Sequence, residues 1–117
     1  MKLIFVSSPY SAEKFSDIED NIRLAEAASI KLWAKGWSVI TPALNTAHFE
    51  RYECLPGIKY ETWTDGYIEI LKRCDAIIMG GDITDSKGCQ GELEYARVNK
   101  IPIFYEADGI PSPEDCP

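Results

Sequence analysis

The sequence predicts an α/β protein, an open parallel sheet covered by helices on both faces. Three observations predict it. Four short runs, "KLIFVS", "WSVIT", "DAIIMG" and "IPIFY", are apolar without alternation, as strands covered on both sides are. Longer segments with helical periodicity separate them, so helical crossovers join the strands. At 117 residues, 45% hydrophobic, the chain has material for one core, so residues 1–117 read as a single domain.

The elements follow in order. The first strand spans residues 2–7, and "SPYSAEKFSD" punctuates the chain after it. A helix over 17–35 places Ile18, Ile22, Ala25, Ser29 and Leu32 on one stripe, at spacings of three and four. Ser11 or Ser16 is the natural cap for it, and Gly36 stands where a left-handed C-terminal residue is wanted. The second strand, 37–41, ends at Pro42. Residues 42–60 show little periodicity and read as a long loop, either functional or partly helical with no visible period. A helix over 61–74 turns Tyr67, Ile68 and Leu71 inward, and 75–80 is the third strand. A last helix over 89–99 leads to the fourth strand, 101–105. The tail 106–117, with three prolines, reads as irregular.

Right-handed crossovers bring the carboxyl ends of all strands to one edge, where ligands of such sheets bind. "SSPYS", "TPALN" and "GGDITDSKG" therefore converge there. The net charge of −7 and scattered cations exclude a protein that coats a nucleic-acid polymer. No apolar run spans a bilayer, and the apolar start of "MKLIFVSS" is too short for a signal-peptide core. Cys54, Cys74, Cys89 and Cys116 form no CxxC pair and no metal-ligand spacing with the lone His48, so they read as free thiols of a reducing cytoplasm.

At the converging edge, Glu92 is the candidate nucleophile. Placed in the first turn of the last helix, it would be kept ionised by the helix dipole, an effect of ~0.3–1 kcal/mol. Gly88 and Gly91 leave room beside it. Ser7, Ser8, Ser11 and Ser86 offer hydroxyls to a phosphate or sugar, although Ser86 equally suits a helix cap. Asp65, Asp82 and Asp85 are candidate second carboxylates, with Asp82 and Asp85 also ordinary turn residues. Asp75 is placed to bind nearby amides. Tyr10, Tyr60 and Trp63 flank the edge as stacking or packing aromatics, and Trp33 and Trp37 read as core or sheet-edge aromatics.

"LIFVSSPYS", "NIRLAEAASIKLWAKGWSVITPALN" and "RCDAIIMGGDITDSKGCQGELEYARVNKIPIF", taken in this order, resemble the nucleoside 2-deoxyribosyltransferase superfamily. The resemblance implies a flavodoxin-like three-layer sandwich. It implies cleavage or transfer of the N-glycosidic bond of a 2′-deoxynucleoside or its 5′-monophosphate through a glycosyl–Glu92 intermediate. The pattern S-x-G-x-x-x-E-L, here "SKGCQGEL", puts the nucleophile at Glu92. Ser8 and Ser86 correspond to phosphate-binding serines of a related branch that cleaves monophosphates. The substrate set is completed by Ser7, Tyr10, Asn45, Asp82 and Gly88. The family's helical aspartate falls on Tyr67, leaving Asp65 to take its part. No metal or organic cofactor is implied; a small nucleoside or nucleotide is the partner, and a homodimer or larger oligomer the assembly. A nucleotide-binding module without turnover is the alternative reading.

Overall fold

Strand order β2-β1-β3-β4, all parallel, sets the architecture. The computed structural model describes residues 1–52 and 57–117. Its elements are β1 (Leu3–Ser7), α1 (Phe15–Ala34), β2 (Ser38–Ile40), α2 (Pro42–Asn45), α3 (Tyr60–Leu71), β3 (Ala76–Met79), α4 (Lys87–Val98) and β4 (Ile103–Tyr105). The predicted parallel α/β sheet is present. Chain direction across it reverses between β1 and β3, which makes that gap the topological switch point.

Burial follows from strand alternation. Ile4 and Val6 point to the face covered by α1 and the C-terminal tail, where they pack with Leu32, Trp37, Ala76 and Ile78. Phe5 points to the opposite face and packs with Leu71, Ile77, Met79, Cys89 and Leu93 under α3 and α4. The central strands are buried, as their continuous apolar runs require, whereas the edge strands β2 and β4 are only partly covered. Asp75 acts as expected: its Oδ2 accepts the Leu3 N–H at 2.8 Å, tying β3 to β1.

Several expectations are corrected. α1 starts at Phe15, and its N-cap is Lys14 with no side-chain hydrogen bond, so neither Ser11 nor Ser16 caps it. The expected long loop contains α2, for which Pro42 is a favourable first residue because its missing N–H has no helical partner to lose. A 3₁₀ turn follows at Phe49–Arg51. Cys54 and Pro56, also part of that expected loop, lie outside the described residues; Cys74, Cys89 and Cys116 are free thiols. Gly36 does adopt the positive φ (+99°) that ends α1. Trp33 is half exposed rather than core. Among the described residues, no helix is long and apolar enough to cross a membrane.

The tail is short of regular structure but firmly docked. Cys116 is buried, and the Trp37 indole N–H donates to the Pro111 carbonyl at 2.8 Å. Trp37 is fully buried and meets Phe104 edge-on. Trp37→Ala therefore removes the tail's anchor and a large part of one core. Urea unfolding is expected to show a loss of about 3–5 kcal/mol, whereas a loss below 1 kcal/mol would mean the tail holds without it.

Candidate active site

Ser7 is the last residue of β1, and its side chain follows Phe5 toward the α4 face. Its hydroxyl donates to Glu92 Oε1 at 2.6 Å, the short distance of a charge-assisted bond. α4 begins at Lys87, two residues before the expected start, so Glu92 lies in the second turn and the first turn holds no acid. The expectation that the helix dipole keeps Glu92 ionised is therefore corrected, because that effect fades beyond the first turn. Burial dominates instead. It raises the carboxyl from 4.5 to about 7, with the Ser7 hydroxyl pulling the other way.

Cys89, one turn before Glu92 on the same helical face, completes this cluster. Burial raises its thiol; the Ser86 and Ser7 hydroxyls lower it, and the Glu92 charge raises it further. The sequence reading treated Cys89 only as a free thiol, although its i, i+3 spacing from Glu92 carried the signal. Ser86 is the α4 N-cap, accepting the Cys89 N–H at 3.3 Å. Gly88 sits in the first turn, and a Cβ on either Gly88 or Gly91 would meet nothing within 4 Å. Both glycines thus leave open space at their own positions on α4.

The second carboxylates fare differently. Asp65 is exposed, and two residues turn a helix by about 200°, so it faces away from the buried Tyr67 side of α3. Tyr67 itself meets Phe5 edge-on; its hydroxyl accepts from Asn45 Nδ2 at 3.2 Å and donates to Thr46 Oγ1 at 2.9 Å. Asp82 is held in its ionised form by the Thr84 hydroxyl and N–H, which lower its pKa, so it is a poor proton donor. Among the described residues no group of three or more His, Cys, Asp or Glu is placed to hold a metal.

Tyr10 and Trp63 make contacts within the fold. Tyr10 donates to Glu50 Oε1 at 2.6 Å and accepts the His48 N–H at 2.7 Å. Trp63 packs edge-on against Phe49, and Tyr60 is exposed. His48, at φ +67°, places Nε2 3.2 Å from Glu19 Oε1. These contacts hold the chain after α2 against α1. Ser8 Oγ is buried with no hydrogen-bond partner among the described residues.

Ser7→Ala tests the pair directly. Losing the one stabilising hydrogen bond that Glu92 makes among the described residues raises its pKa further, so any Glu92-dependent activity should shift to higher pH and fall about ten-fold at pH 7. An unchanged pH profile would show that Ser7 does not act through Glu92.

A switch-point sheet with a part-buried, hydrogen-bonded carboxylate beside its carboxyl edge defines a flavodoxin-like α/β protein. More particularly, the chain belongs to the DUF4406 family, a domain of unknown function, which it matches over residues 9–105. Its fold is that of a 2-deoxyribosyltransferase from the psychrotolerant bacterium Bacillus psychrosaccharolyticus, with a TM-score of 0.59 and 21% identity over 88% of this chain and 70% of that one. The fold that the resemblance implies is thus borne out. No curated protein matches the chain.

Proposed function

We propose that this protein cleaves or transfers the N-glycosidic bond of a 2′-deoxynucleoside or its 5′-monophosphate, with Glu92 as nucleophile. The observation that carries the reading is the Ser7–Glu92 contact of 2.6 Å, which fixes a buried carboxylate beside the carboxyl edge. A pKa of about 7 leaves a large ionised fraction at neutral pH, and that anion is poorly solvated, as a nucleophile should be. The carboxylate attacks C1′ and forms an ester while the C1′–N bond breaks and the base departs with the bonding pair. The departing base takes a proton from water at the open edge. Water or a second base then attacks C1′, and its proton is lost as the Glu92 carboxylate is regenerated. Ser86 and the first-turn amides of α4 are the groups proposed for the polar end of the substrate, whereas Ser8, the other serine the resemblance points to, turns from the Glu92 side to the cleft described below.

The 2-deoxyribosyltransferase fold supports this reading, as does the placement of Glu92 in "SKGCQGEL". One observation favours the second reading, a nucleotide-binding module without turnover: Asp65 faces solvent, and the phenol of Tyr67 occupies the helical aspartate's position. Incubation with the four deoxynucleosides and their monophosphates, followed by chromatography of free bases, tests both. Released base supports the enzyme. Thermal stabilisation by a nucleotide without base release supports the module. A soluble, dimeric or larger assembly in the cytoplasm is part of the proposal.

A further inference from the structure

A cleft of about 760 Å³ lies at the switch point on the α1 side of the edge, and Glu92 does not line it. That size suits a small-molecule ligand. Its walls include Asn21 and Leu24 of α1, the Gly80–Ile83 segment, and Tyr105 with Glu106. Two carboxylates, Asp82 and Glu106, line it, and no lysine, arginine or histidine does. A Cβ on Gly80 would stand 3.0 Å from Glu106 Oε2 and 3.5 Å from Ser8 Cβ, so glycine is what lets these two residues approach at the cleft. The Ser8 hydroxyl, buried and without a partner, is one χ1 rotation from a new environment. Leu24 and Tyr105 add exposed apolar and aromatic surface.

We propose that this cleft is a second ligand site, separate from Glu92, for an unphosphorylated molecule of nucleoside size. Carboxylates accept hydrogen bonds from sugar hydroxyls or an amino group, and Leu24 and Tyr105 offer surface to a ring. A phosphate would meet two anions with no cation to offset them. The choice of a nucleoside over another polyol or amine rests on the function proposed above; the exclusion of negative charge does not. The site is linked to Glu92 by one strand end: Ser7 turns to the carboxylate and Ser8, the next residue, to the cleft side.

The test is an amide-resonance titration of ¹⁵N-labelled protein with the four deoxynucleosides and their 5′-monophosphates. At least one deoxynucleoside should shift Gly80, Gly81 and Ala107 saturably, with its monophosphate at least ten-fold weaker. Glu106→Gln should weaken the nucleoside and narrow that gap, and Glu92→Gln should leave the cleft titration as it is. Shifts confined to Gln90, Gly91 and Leu93, no saturable shift, or equal affinity for the monophosphate would overturn the proposal. Base release by a protein whose cleft resonances stay still overturns the cleft alone. Cleft binding without base release upholds the cleft and counts against Glu92 as nucleophile.

Discussion

Glu92→Ala is expected to lower base release by at least about 10³-fold while circular dichroism and the unfolding midpoint show an intact fold. The size follows from the role. A nucleophile forms the bond that replaces C1′–N, so no neighbouring group inherits its work. Asp65 faces solvent on α3, and Asp82 is held by Thr84 on the β3–α4 segment. The fold should survive because, among the described residues, the side chain's one hydrogen bond is to Ser7, and removing a largely desolvated acid lifts a desolvation cost. The pair should also be non-additive: with Glu92 already alanine, Ser7→Ala should cost nothing more, since its effect runs through the carboxylate. Glu92→Ala protein that releases base at the wild-type rate would end the glycosyl–Glu92 mechanism.

The order of strands and helices was legible because every central strand is apolar on both faces, a pattern set by burial itself. Ser7 and Glu92 were both singled out, yet their contact was not readable: they are 85 residues apart, and only the parallel register of β1 and β3 joins them. The ionisation of Glu92 was misjudged for a local reason. Ser86 caps α4, as its type allows, but the helix then starts at Lys87 and not at residue 89, and that shift of two positions moved Glu92 out of the dipole's reach and into a part-buried second turn. A partly helical 42–60 segment was allowed for but α2 could not be placed in it, because four residues are too few to show a period. Asp65 is offered as a replacement for the missing helical acid by its closeness in sequence alone, although the inward phase of Tyr67 and Leu71, itself readable, already sets it on another side of α3. Once Tyr67 and Leu71 face inward, the helix's own geometry turns Asp65 to solvent.

The second large effect is a stability that falls as pH rises. Glu92 has a folded pKa of about 7 against 4.5 as its ordinary value. Between those values the native state binds more protons than the unfolded chain, so the slope of unfolding free energy with pH is negative. The contribution is fully present below about 4.5 and is lost as pH passes through about 7, a total of about 3 kcal/mol for this one group. Other acids titrate in the same range, so the measurement is a difference. Urea unfolding of wild type and Glu92→Gln, compared at pH 5 and pH 8, should show the variant gaining about 3 kcal/mol on the wild type at the higher pH. Parallel curves for the two proteins would mean that Glu92 is not buried as an acid. The same ionisation arms the nucleophile. Base release should therefore climb through the pH range in which wild-type stability declines, and Glu92→Gln should abolish the climb and flatten the decline together. A climb that persists in Glu92→Gln would assign the activity to another group.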